Sequence, residues 1–236
     1  MNPPSESKGD TADLRFYGRR KGKPLKAARQ GLIEELLPEL RIGVPEAPLD
    51  PRTLFSHPVK SIRLEIGFGG GEHLARMAAD NPDVGFIGAE VFLNGVASLL
   101  RHVHELGLNN VRVFNQDVRF LLPHLPAASF ERISLLFPDP WPKARHAKRR
   151  FVGPENLKEM QRLIVPGGEF RVASDHPVYI DWALLHLVGH PGFAWTAKGP
   201  EDWRTRPAGS TPTRYEEKAK KQGRTPVFMN FRRVSP

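Results

Sequence analysis

Acidic side chains stand at three places where an apolar run meets a polar one. Glu65 precedes the glycine-rich run Gly67-Phe68-Gly69-Gly70-Gly71, Glu90 follows Gly85–Ala89, and Asp117 follows Val111–Asn115. If the apolar runs are strands, each acid falls near a strand's carboxyl end, where open α/β sheets bind ligands. The run from Leu64 leads a strand straight into a turn lacking side chains, so backbone at Gly67 and Gly69 can approach a ligand closely. A dinucleotide fingerprint wants Gly or Ala where this chain has Glu72, and Glu65 would face a pyrophosphate unfavourably. A phosphate-free donor bearing a sulfonium and an ammonium is attracted by the same carboxylates. The set therefore points to S-adenosyl-L-methionine, with Glu90 accepting ribose hydroxyls and Asp117 the adenine amine. Taken singly, each acid is more often a solvated strand end or a helix cap, as Asp117 could be for the helix from Val118.

A second group follows the fourth apolar run. In Phe137-Pro138-Asp139-Pro140-Trp141-Pro142-Lys143 the prolines hold Asp139 in an extended, rigid loop. Trp141 offers a face on which a base can stack; the alternative is a proline-rich turn around a buried indole. The next residues, Lys143, Arg145, His146, Lys148, Arg149 and Arg150, form a basic stretch without an acid. Beside the candidate chemistry it reads as a phosphate contact, against the plain alternative of a solvated face. Asp175 ends the fifth run, and Thr213-Arg214-Tyr215-Glu216 opens a charged tail. Carboxylates such as Asp175 and Glu216 suit the N1–H and N2–H₂ donors of guanine, though a helix cap and an exposed charged helix explain them equally well.

These residues need elements to position them. The expected strands are Ile62–Ile66, Gly85–Ala89, Val111–Asn115, Arg132–Phe137, Glu169–Ser174, Phe193–Ala197 and Val227–Arg233. Helices are expected at Glu72–Ala79, Asn94–Leu106, Val118–Leu122, Pro154–Leu163 and Pro177–Val188, after one apolar helical face over residues 25–37 and a loop from Pro45 to Pro58. This alternation predicts an α/β, Rossmann-like, mostly parallel sheet of about seven strands with helices on both faces and an antiparallel last strand. Residues 1–24, with Arg15, Arg19, Arg20, Lys21 and Lys23, read as a flexible basic arm, and residues 25–236 as a single domain.

The net charge of +9 and pI near 10.0 suggest a polyanionic partner. No cysteine is present, which removes thiol nucleophiles, disulfides and cysteine metal sites. The nine histidines lack ligand spacing, so no metal is expected. No apolar stretch resembles a secretory signal or a bilayer span, so a cytoplasmic location and no membrane contact are expected. Monomer and homodimer remain equally open.

The whole set resembles the bacterial tRNA (guanine-N7-)-methyltransferase family, from Tyr17-Gly18-Arg19-Arg20 to Phe228-Met229-Asn230-Phe231. The most specific element is Phe137–Trp141 with Lys143 and the Arg145–Arg150 run; Leu64–Gly71, Gly88–Val91, Ala173–Asp175 and Thr213–Glu216 support it. The resemblance implies a class I fold and methylation at N7 of guanine 46 in the tRNA variable loop. It implies cofactor-side roles for Glu65, Glu90, Asp117 and Asp139, with Asp139 at the catalytic position. It also implies substrate roles for Lys143, Asp175 and Thr213–Glu216, and RNA contacts for Arg145–Arg150. Two departures are Gly70 between Gly69 and Gly71, and Tyr215 where Phe is often found; His73 is read as first-turn helix structure. The competing readings are methylation of an exocyclic amine, a noncatalytic RNA-binding fold and, more distantly, a nicotinamide oxidoreductase.

Overall fold

A computed structural model describes residues 17–234, so Arg15 of the expected arm lies outside the described residues. Seven strands form one sheet: β1 (Ser61–Ile66), β2 (Val84–Ala89), β3 (Val111–Phe114), β4 (Phe130–Leu136), β5 (Ile164–Ser174), β6 (Phe193–Trp195) and β7 (Val227–Arg233). Their order is β3-β2-β1-β4-β5-β7-β6. The first five strands run parallel, and β7 is antiparallel to both its neighbours, β5 and β6. Chain order reverses between β1 and β4, which opens a crevice at their carboxyl ends.

The helices are α1 (Ala27–Glu35), α2 (Leu37–Leu40), α3 (Glu72–Asp80), α4 (Leu93–Leu106), α5 (Pro154–Leu163), α6 (Pro177–Val188), α7 (Glu201–Arg204) and α8 (Arg214–Lys221). Alternate strand residues enter opposite cores, as the pleat requires. Phe86 packs with Leu74, Leu99 and Leu40 of α3, α4 and α2, whereas Ile87 joins Leu157 and Met160 of α5 and Ala183 of α6 on the other face.

Prolines account for two differences from the sequence reading. The helical face over 25–37 is divided into α1 and α2, with Pro38 in the first turn of α2. The helix expected at Val118–Leu122 is instead two short 3₁₀ turns, Val118–Phe120 and Leu122–His124, because Pro123 supplies no N–H to continue an α-helical ladder. The loop at Pro45–Pro58 contains a 3₁₀ turn, Pro51–Leu54. Within the basic segment, Gly22 N–H donates to Asn94 Oδ1 at 2.8 Å and Leu93 N–H to the Arg20 carbonyl at 3.0 Å, so these residues lie against the start of α4.

Candidate active site

Strand register assembles the site. Gly67 N–H donates to the Ala89 carbonyl at 2.7 Å and Glu90 N–H to the Phe114 carbonyl at 3.1 Å, so the ends of β1, β2 and β3 share one rim. The rim borders a crevice of about 540 Å³, within the usual range for small-molecule sites. Gly67, Gly69, Glu90, Asp117, Asp139 and Tyr215 all line it. Gly67 has φ +69° and Gly69 φ +59°, left-handed values that glycine adopts without strain. A Cβ on Gly67 would meet nothing within 4 Å. On Gly69 it would come within 2.8 Å of the Tyr215 ring, which places the C-terminal motif over the turn.

Glu90 stitches the turn to β2. Its Oε2 accepts from Gly69 N–H and its Oε1 from Phe92 N–H, both at 2.9 Å. Burial raises its carboxyl above the ordinary range despite these backbone donors, and the Asp139 charge pushes the same way. Asp117 performs the capping alternative, accepting from Arg119 N–H at 3.0 Å, and also pairs with the Arg119 guanidinium at 2.6 Å. Arg119 is a crevice residue that the sequence reading missed; its place two residues beyond the capping acid was the available signal.

Glu65 is brought to the turn but faces away from the crevice lining. It is 5% exposed, and its Oε2 lies 2.7 Å from His73 Nδ1. His73 Nε2 lies 3.1 Å from Ser210 Oγ, so His73 bridges Glu65 to the segment preceding α8. The expectation of a plain first-turn helix residue is thus too small for His73.

The Phe137–Lys143 loop forms the opposite wall. Phe137 (φ +52°) and Trp141 (φ +42°) flank an exposed Asp139 in left-handed conformations, a strain typical of functional loops. The Arg149 guanidinium lies over two rings, 4.3 Å from the Tyr17 centroid and 4.9 Å from that of Trp141. Tyr17 meets Trp141 edge-on at 6.5 Å. One face of Trp141 is therefore occupied by a cation.

The basic run folds as a 3₁₀ segment, Ala144–Arg149. Lys143, Arg145 and Lys148 are exposed there. Partial desolvation and the neighbouring Arg149, Arg145 and Lys143 charges hold the His146 imidazole below its ordinary range. Arg150 departs from the expected phosphate contact: it is buried and donates to the Pro140 and Trp141 carbonyls.

Two other expected substrate carboxylates already have cationic partners. Asp175 accepts from Arg224 Nε at 2.6 Å. Glu216, 2% exposed, pairs with Arg206 at 3.0 Å and Lys220 at 2.8 Å beneath α8. Burial alone would raise the Glu216 carboxyl, but the Arg206 and Lys220 hydrogen bonds outweigh it and bring the group below the ordinary range. Thr213 caps α8 by accepting from Glu216 N–H at 3.0 Å, and Arg214 lies over the Tyr215 ring. Among the described residues, no helix is long and apolar enough to cross a membrane.

The sequence has close relatives, and the fold has counterparts among solved structures. A family model described as "Putative methyltransferase" matches residues 59–229. The tRNA (guanine-N(7)-)-methyltransferase of Rhodospirillum rubrum is 53% identical over 94% of this chain and 89% of that protein. The enzyme of the same name from Paramagnetospirillum magneticum is 55% identical over 93% and 92%, and that of Rhizobium meliloti 48% identical over 98% and 100%. Two solved structures show the same fold at low identity. An rRNA methylase from Streptococcus thermophilus superposes with TM-score 0.52 at 12% identity, covering 75% of this chain and 89% of that one. The 16S rRNA methyltransferase KamB gives 0.53 at 15% identity, again covering 75% and 89%. With this fold, and with relatives matching nearly end to end, the chain belongs to the bacterial tRNA (guanine-N7-)-methyltransferase family.

Proposed function

We propose that this protein transfers the methyl group of S-adenosyl-L-methionine to N7 of guanine 46 in the variable loop of tRNA. The observation carrying this reading is the convergence of Glu90, Asp117, Asp139 and Trp141 on one crevice beside exposed cations. The names of the relatives support the tRNA guanine as acceptor.

The site's chemistry fits the donor. Open space above Gly67 leaves backbone accessible to the ligand, and the crevice acids favour a cationic group. When bound, the donor supplies an electrophilic methyl on a sulfonium sulfur. Glu90, with one lone pair of each oxygen used by backbone, retains acceptor capacity for the ribose diol. Asp117 and Arg119 border the adenine end, while Glu65, held by His73, supports the turn from behind.

N7 of guanine carries an in-plane lone pair, so attack on the methyl needs no prior deprotonation. Asp139 therefore orients the base and favours the positive charge developing on the purine. Extruding or loosening the base costs a few kcal/mol. Phosphate contacts from Lys143, Arg145, Lys148 and Arg149 offset that cost, with Asp175 and Thr213–Tyr215 toward the guanine edge.

The test incubates purified protein with methyl-labelled donor and unmodified tRNA transcript, then cleaves chemically at N7-methylguanine. Cleavage at position 46 is expected. Label on an exocyclic amine, on another nucleotide or nowhere would overturn the reading.

A further inference from the structure

Arg150 closes a basic run containing exposed cations, yet it is only 8% exposed itself. Its Nε donates to the Pro140 carbonyl at 3.2 Å and its Nη2 to the Trp141 carbonyl at 2.9 Å. Those carbonyls belong to the two residues immediately after Asp139. The guanidinium lies over the Trp182 ring of α6, with Cζ 4.7 Å from the centroid. Trp182 also donates its indole N–H to the Val152 carbonyl at 2.5 Å, tying the chain beyond Arg150 to the same ring.

Beyond the Arg149, Tyr17 and His146 contacts to the Trp141 ring, the loop's own backbone offers little to hold it. Pro138, Pro140 and Pro142 provide no N–H, and Phe137 spends its own on the Ala173 carbonyl of β5 at 2.8 Å. Phe137 and Trp141 both have positive φ, a conformation that persists only when the surroundings over-determine it. One end of the loop is pinned by β5 and the other by Arg150. A planar guanidinium fork can serve two adjacent carbonyls while stacking on an indole; a lysine ammonium cannot reproduce that combination.

We propose that Arg150 is a positioning residue for methyl transfer, fixing the Asp139 loop through the Pro140 and Trp141 carbonyls rather than gripping phosphate. The inference rests on the proposed role of Asp139 in orienting the base. It makes one member of the basic run part of the catalytic support and assigns that support to α6.

Arg150→Ala, Arg150→Lys and Trp182→Phe test it, with Lys148→Ala as the surface comparator. In Arg150→Ala, kcat should fall about 10- to 100-fold, as expected for a displaced reacting geometry, while KM for tRNA stays within about twofold. The salt dependence of tRNA binding should remain parental. Added methylguanidinium should restore part of the lost turnover, and Arg150→Lys should be intermediate. In the free protein, the Trp141 indole N–H resonance should shift and broaden. If Arg150→Ala does not fold, Arg150→Lys and Trp182→Phe decide by the same readouts. Parental kcat in any folded Arg150 variant would overturn the proposal, as would weakened tRNA binding with a reduced salt slope. Absence of methyl transfer by the parental protein would sink the functional reading instead, leaving the Trp141 resonance to decide whether Arg150 holds the loop.

Discussion

Asp139 and Glu90 are both carboxylates on one crevice, and their surroundings separate their tasks. Glu90 has each oxygen engaged by a backbone N–H, so it shapes the glycine turn as well as lining the crevice. Asp139 is exposed on a loop whose flanking residues hold unusual backbone angles. Asp139→Asn retains size and polarity but removes the charge proposed to favour a cationic purine. Its kcat should drop by about 10²- to 10³-fold, the scale of losing one preorganised electrostatic group, while donor affinity stays within about threefold. Single-turnover kinetics and donor calorimetry check this, and equal turnover in both forms would remove Asp139 from the chemistry.

Packing between elements decides how firmly the turn is held. Gly95 lies in the first turn of α4, where alanine would ordinarily improve helix propensity by about 1 kcal/mol. A Cβ there, however, runs into the Gly69 carbonyl oxygen, which is backbone and cannot swing aside. Gly95→Ala should therefore lose about 1–3 kcal/mol of stability despite the better propensity. Urea unfolding reads that loss, and weaker donor binding should accompany it because Gly69 must shift. Helix α8 depends on charge instead. Glu216 has a carboxyl held below the ordinary range, so its contribution is complete above the unfolded value near 4.3 and drains as pH falls through the lower folded value. Glu216→Gln should cost about 1–3 kcal/mol at pH 7, and its deficit relative to the parent should shrink below about pH 4. Melting curves across pH would show a constant deficit if the ion pairs contributed nothing.

Over the whole molecule, the +9 charge favours a polyanionic partner, because each phosphate neutralised releases counterions. Lys148 is exposed at the crevice mouth, whereas Arg150 two residues later is enclosed. Lys148→Ala should weaken tRNA binding and lower the slope of log affinity against log salt by about 1, leaving turnover at saturating tRNA unchanged. Filter binding across a salt series measures it; an unchanged slope would take Lys148 out of the interface. The contrast also separates surface attraction from loop support within eight consecutive residues, Lys143–Arg150.

The residues themselves determined the alternation of strands and helices, the carboxyl-end placement of Glu65, Glu90 and Asp117, and the Pro-Asp-Pro loop. Each of these follows from local periodicity, from glycine's freedom or from proline's constraint, all readable over a few neighbours. The insertion of β7 between β5 and β6 was not readable, because strand order depends on contacts between distant segments. Nor could spacing reveal that Glu65 turns to His73, Glu216 to Arg206 and Arg150 to the loop carbonyls. A charged side chain near a site can face the ligand or a neighbour. Only the tertiary structure decides which, because burial makes an unpaired charge costly and leaves it to the nearest partner.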